Sequence, residues 1–211
     1  LARAMIEGMH EGGIFVTLKH FPGHGDTDMD SHLGLPVLLR TKAELSQKEL
    51  IPFQKLYAET DLLMTAHILL PHIDPNRPVS LSRFFLTDLL RQEMGYQGIV
   101  ISDSLVMQGV VPHQSSFEEA YQGISEAAIE AFQAGADCLI LGRLEWASFP
   151  DALSPEMNRR ITERVLTSFT QAIREGRLTE TRVDESLRRI LLLKRKMLLQ
   201  GQRFTPLSEQ Q

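Results

Sequence analysis

The sequence predicts an α/β chain built on a parallel sheet, and three observations carry that expectation. Four short apolar runs recur along the 211 residues, Ile14 to Leu18, Leu62 to Ala66, Ile99 to Ser102 and Cys138 to Leu141, each suited to a strand buried on both faces. Helical material separates them, and strands that alternate with helices pair in parallel through crossovers. Polar residues gather where the runs end: a dense loop opens at Lys19 after the first, His67 follows the second and Asp103 follows the third.

The elements follow in order. The chain opens in a helical stretch, Leu1 to Met9, with no initiator methionine or signal segment before it, which reads as an N-terminal truncation. Thr41 and Glu44 have capping-box spacing, and Leu45, Leu50, Phe53, Leu56 and Tyr57 continue an apolar helical stripe that Pro52 is expected to break or kink. Ser82 to Met94 is expected as a helix with Phe85, Leu89 and Leu90 inward, closed by Gly95. Ser116 and Glu119 offer a second capping box for a helix to about Ala134, stopped by Gly135. Two more helices are expected at about Pro155 to Glu175, punctuated by Gly176, and about Thr181 to Leu199, capped by Thr181 to Asp184. With no repeats, low-complexity tracts or linkers, the chain reads as one domain over residues 1–200 and a frayed tail over 201–211.

Composition narrows the function. The apolar and charged fractions are those of a globular protein. A formal net charge of −5 with scattered lysines and arginines argues against nucleic acid and anionic membrane surfaces as partners, leaving a small molecule. No apolar run approaches the ~20 residues of a membrane span. The single cysteine, Cys138, lies in an apolar run and reads as an inert buried thiol.

In a (β/α) barrel every strand end named above lies on one face, where active sites sit. A closed barrel needs eight strands and typically about 250 residues, so four strands predict the C-terminal half of a TIM (β/α)8 barrel. Half a barrel leaves two strand edges and an apolar interior uncovered, which predicts poor solubility unless the missing N-terminal half is supplied as a partner.

The chemistry concentrates between Lys19 and His32, which hold three histidines, three aspartates, a lysine, two glycines and a proline in fourteen residues. Alternate acids at Asp26, Asp28 and Asp30 begin like a calcium loop, but Ser31 stands where the turn glycine belongs and Val37 where the bidentate glutamate belongs. His20, His24 and His32 fit neither a zincin helix nor a zinc finger, so no metal is expected. Asp103, at a strand tip, suits either a rigidly held nucleophile or a carboxylate capping a turn, and pattern alone leaves the two level.

Lys19-His20-Phe21-Pro22-Gly23-His24-Gly25, followed by Asp30-Ser31-His32 and Leu33-Gly34-Leu35-Pro36, resembles the signature of glycoside hydrolase family 3, in its β-N-acetylhexosaminidase branch. Matches continue through Leu63-Met64-Thr65-Ala66-His67, Gly95 to Met107 with Ser102-Asp103-Ser104, and Ala134-Gly135-Ala136-Asp137. The resemblance implies a retaining exo-glycosidase that removes a terminal β-linked N-acetylglucosamine and needs no cofactor. It assigns Asp103 as the nucleophile that forms a glycosyl-enzyme. It assigns His32 as the acid/base, suited by a pKa of about 6.5, with Asp30 fixing its tautomer. Lys19 and His20 match the donors to the sugar hydroxyls, and Met64 and His67 lie on the next strand's rim, His67 divided between a substrate or supporting role and a plain core role. Gly23 and Gly25 turn the loop, and His24 braces it.

The chain also departs from the family. A sugar-binding arginine and aspartate would come from earlier strands that this sequence lacks, and Ser104 stands where many members carry a second aspartate or a tryptophan. The last helix lacks the usual glycine-leucine stop. A muropeptide anhydro-sugar and a chitin-type oligosaccharide both remain as substrates. The rivals are a β-glucosidase or β-xylosidase, which would draw a glutamate acid/base from a separate domain, and an inactive carbohydrate-binding fragment. The Asp30/His32 pair favours the amino sugar. Bacterial cytoplasm as compartment follows from resemblance to cell-wall recycling enzymes, with secreted or lipoprotein forms open.

Overall fold

A computed structural model describes residues 1–27, 30, 34–111, 116–142 and 154–199. Its centre is a parallel sheet of four strands in sequence order, β1 (Thr17–Phe21), β2 (Leu62–Thr65), β3 (Ile99–Ser104) and β4 (Cys138–Ile140). Before, between and after the strands run α1 (Ala2–Glu11), α2 (Lys42–Gln47), α3 (Ile51–Leu56), a π-helix (Phe84–Glu93), α4 (Phe117–Ala134), α5 (Pro155–Arg174) and α6 (Glu180–Leu199). The expected α/β class and parallel pairing hold. No helix among the described residues is long and apolar enough to cross a membrane. The tail over 201–211 lies outside the described residues.

Side chains alternate across a strand with a period of two, and the central strands show it. Leu63, Thr65, Val100 and Ser102 are fully buried, whereas Leu62, Met64, Ile101 and Asp103 on the opposite face are half-buried. Leu63 and Val100 join the main core with Phe85, Leu86, Leu90 and Ile124. The half-buried face carries the candidate chemistry.

Several boundaries differ from expectation for identifiable reasons. β1 starts at Thr17, inside the apolar run rather than at its first residue, and continues through Lys19 and His20 to Phe21. Ile14 is 57% exposed, and Asp61 N and Leu62 N both donate to Val16 O, so Thr17 is the first residue in register, opposite Leu62. β3 likewise runs on to Ser104, so Asp103 sits inside the strand. The helical stripe after Thr41 is two helices. The break falls at residues 48–50, and Pro52 lies in the first turn of α3, where its missing N–H costs nothing. The segment after Ser82 is a π-helix, which buries Leu86 beside the expected Phe85, Leu89 and Leu90. The cap of α6 is Thr179, whose Oγ1 accepts from Arg182 N at 3.2 Å, rather than Thr181. The Thr41 capping box is complete, and Ser116 accepts from Glu119 N.

The ends of the sheet opposite the candidate chemistry are tied by two buried aspartates. Asp61, just before β2, accepts from Val16 N at 2.8 Å and from Lys196 Nζ at 2.6 Å, and pairs with His10 Nε2 at 2.8 Å. Asp137, just before β4 and with no exposed side-chain surface, accepts from Val100 N at 3.0 Å, Ser186 Oγ at 2.7 Å, Arg91 at 2.5 Å and Arg189 at 2.9 Å. Because α6 supplies Ser186, Arg189 and Lys196, it straps the first and last strands together. Leaving a buried charged group short of one hydrogen-bond partner costs about 1–3 kcal/mol, so these contacts hold the sheet in register while the other ends remain free for chemistry.

Candidate active site

The C-terminal parts of β1, β2 and β3 and the residues after them carry Lys19, His20, Met64, His67 and Asp103, and the structure brings His20, His67 and Asp103 close enough for their charges to act on one another. Phe21 fixes the end of β1, being fully buried and edge-on to Phe53 at 5.4 Å between ring centroids. Directly before it Lys19 is exposed and His20 half-buried. The Lys19–His20 and Phe21–Pro22 peptides are both cis.

The chain then turns away over Gly23, whose φ is +134° and whose added Cβ would stand 2.9 Å from Glu49 Cβ. Only glycine accepts both the conformation and the approach. Thr27 Oγ1 donates to His24 O at 3.1 Å and therefore accepts from His24 Nδ1 at 2.8 Å. That ring braces the turn.

Asp26 pairs with Arg40 and, at 3.0 Å, with Lys48, while Arg40 also reaches Glu49 at 3.3 Å. Lys48 first, then Arg40, holds the Asp26 carboxyl below the ordinary carboxylate range. Asp26 and Arg40 thus join two points of the chain that flank Asp30 and His32 in the sequence. Asp30 is exposed. His32, and with it the expected pairing of His32 to Asp30, lies outside the described residues.

Asp103 is the centre of the arrangement. Its Oδ1 accepts from Ser104 N at 2.7 Å, and its Oδ2 lies 3.4 Å from His20 Nε2. The two side chains are 24% and 28% exposed, open enough to meet a ligand and buried enough to be held. Burial pushes the His20 imidazole below its ordinary pKa, against the opposing pull of Asp103. At neutral pH His20 is therefore an uncharged neighbour of the carboxylate. Met64 shares the half-buried face, in register with Ile101.

His67 sits deeper. It is 1% exposed, its Nδ1 lies 2.7 Å from Ser80 Oγ and its Nε2 lies 3.0 Å from the Ser104 carbonyl. Both ring nitrogens are engaged inside the chain, which leaves no free imidazole nitrogen to reach a sugar. Burial lowers its pKa to about 4. Ser80, Arg40 and Glu49 were not singled out by the sequence. Ser80 carries no motif, and the pairing of Asp26 with Arg40 is invisible until the loop closes.

The sequence profile of the glycosyl hydrolase family 3 N-terminal domain matches residues 1–193. The chain belongs to this family. Among curated family relatives, a β-hexosaminidase of Idiomarina loihiensis is 34% identical over 187 residues, covering 85% of this chain and 54% of its own length. A β-hexosaminidase of Pseudomonas aeruginosa is 43% identical over 109 residues, covering 52% of this chain and 32% of its own. The solved structure of a glycoside hydrolase family 3 β-N-acetylglucosaminidase from Paenibacillus superposes with a TM-score of 0.79 at 32% identity, over 99% of this chain and 36% of that one. The chain spans about a third to about half the length of the curated family relatives it matches first.

Proposed function

We propose that the protein carrying this chain is a retaining exo-glycosidase that removes terminal β-linked N-acetylglucosamine from a cell-wall muropeptide or chitin-type oligosaccharide. The observation that carries the reading is the company Asp103 keeps. A carboxylate near the end of β3 is aligned by one backbone N–H and faced by His20, whose imidazole burial holds below its ordinary pKa. Such a group suits attack on an anomeric carbon. Its oxygen bonds to C1, the glycosidic bond breaks with its electron pair leaving on the aglycone oxygen, and water later opens the ester with the same net stereochemistry.

His32 would give the aglycone its proton and then take one from the water, with Asp30 stabilising the imidazolium. Lys19 and His20, side by side on β1, would hold vicinal hydroxyls of the terminal sugar, and Met64 would line the same face. The names of the β-hexosaminidase relatives support the amino sugar. The substrate cleft of the whole protein would include further β/α units beyond the four strands described here, and its setting would be cell-wall recycling in the bacterial cytoplasm.

The test is cleavage of the nitrophenyl β-glycosides of N-acetylglucosamine and glucose by the whole protein and its Asp103→Ala form. Cleavage of the amino sugar, lost on substitution, is the expected result. Preference for glucose would move the reading to a β-glucosidase. No cleavage of either would leave a carbohydrate-binding module.

A further inference from the structure

Between Ser80 and Asp103 runs a short chain of hydrogen bonds that the proposed reaction does not itself use. A carbonyl oxygen can only accept, so His67 Nε2 must donate across the 3.0 Å to Ser104 O. A neutral imidazole has a single N–H, so Nδ1 must then accept, and the Ser80 hydroxyl at 2.7 Å must donate. The ring is neutral at physiological pH, since burial holds its pKa to about 4. Tautomer and orientation are therefore both fixed. Ser80 and His67 are 0% and 1% exposed, so no water competes for these bonds. Their target is the residue whose own N–H aligns Asp103 Oδ1 at 2.7 Å.

We propose that Ser80 and His67 form a clamp on Ser104 that aims the Asp103 carboxylate, making His67 a positioning residue for the nucleophile rather than a sugar ligand. The inference rests on the glycosidase reading above. Ser104 lies at the end of β3, past a shift in register with β4, and its peptide is held on the β4 side by Leu105 N, which donates to Ile140 O at 2.9 Å. The imidazole restrains the same peptide from β2's side. A displacement of about 1 Å at a reacting group can cost on the order of 100-fold in rate. The clamp therefore acts on the attack step while leaving sugar binding untouched.

The experiment uses an N-acetylglucosaminyl fluoride bearing a second fluorine at C5, added to the whole protein. Asp103 bonds to C1, the C1–F bond breaks, and fluoride leaves with the electron pair. Fluoride needs no proton, so the rate of mass gain reports on the nucleophile without the acid. Wild-type protein should take one sugar per chain, on the peptide containing Asp103. His67→Leu should reach the same stoichiometry with an unchanged half-saturating reagent concentration, but about 100-fold more slowly. His67→Gln, whose amide can place an N–H near the Nε2 position, should recover to within about tenfold of wild type.

Labelling of His67→Leu at the wild-type rate would overturn the clamp alone, as would a slow rate accompanied by loss of half-saturation. Wild-type protein that takes no label would overturn the glycosidase reading and the clamp with it. Should His67→Leu fail to fold, Ser80→Ala carries the test. A several-fold slower labelling at full stoichiometry supports the clamp, and an unchanged rate overturns it.

Discussion

His20 Nε2 faces Asp103 Oδ2 at 3.4 Å, and it does so as a neutral ring, because burial holds its pKa below the ordinary value. Acid reverses this. Once pH falls through the lowered value, His20 becomes a cation beside the proposed nucleophile and draws off its charge. The acid limb of kcat/KM for the whole protein should therefore carry a component below about pH 6.5 that disappears in His20→Gln. An identical acid limb in the variant would assign it elsewhere.

The buried His67 gives a stability signature in a neighbouring window. Its folded pKa of about 4 lies below the unfolded value of about 6.5, so between the two the unfolded chain binds the extra proton. Stability is complete above pH 6.5 and declines by up to about 1.4 kcal/mol for each unit below it, until pH reaches about 4. The charges of Asp103, His20 and His24 also act on this ring, so the comparison that isolates His67 is with His67→Gln. Thermal unfolding of that variant should show a flatter dependence between pH 6.5 and 4.

Asp61 behaves with the opposite sign. Burial alone would raise its pKa, but Lys196, Val16 N and His10 together outweigh burial and hold the carboxyl below the usual range. Its contribution is present above the unfolded value of about 3.9 and is lost as pH falls through the folded value. Lys196→Met should cost about 1–3 kcal/mol at pH 7, read by urea unfolding, and should move the onset of acid unfolding to higher pH.

Arg40 touches no part of the proposed sugar site, yet it bonds Asp26 across the base of the loop. Arg40→Met should speed limited proteolysis within residues 22–40. It should slow turnover of an unactivated disaccharide about tenfold, and of the nitrophenyl glycoside much less, because only the former needs the proton. Equal losses on both substrates would show that the staple does not serve the acid.

Gly23 is the tightest point beneath the loop. Alanine there must adopt φ near +134° and press its Cβ to 2.9 Å from Glu49 Cβ. Gly23→Ala should lower stability by about 1–3 kcal/mol, measurable as a fall in Tm. Removing that Cβ in Gly23→Ala/Glu49→Gly, compared with Glu49→Gly alone, should recover only the contact part and leave the backbone part.

The architecture was legible in the sequence because two strong periodicities alternate, and the motif residues fell at strand ends because parallel strands all finish on one side. Asp103, His20 and Met64 could be placed for that reason. What escaped notice was set by tertiary pairing. β1 begins where Leu62 offers a partner, not where the apolar run begins. Pro52 looked like a breaker and serves as a first-turn residue. Ser80 and Arg40 act through contacts 13 and 14 residues away along the chain, which no local pattern records.

The strap between α6 and Asp61 joins residues 135 apart, and that separation sets an order of events during synthesis. At roughly 5–20 residues per second, Asp61 is made about 7 to 27 seconds before Lys196. Throughout that interval its carboxylate has His10 and the Val16 amide but not its cation. The early strands can pair, yet the charge they must bury is only partly compensated. Full compensation of that charge therefore waits on α6, and a nascent chain stalled before α6 is the species on which a chaperone or protease would act.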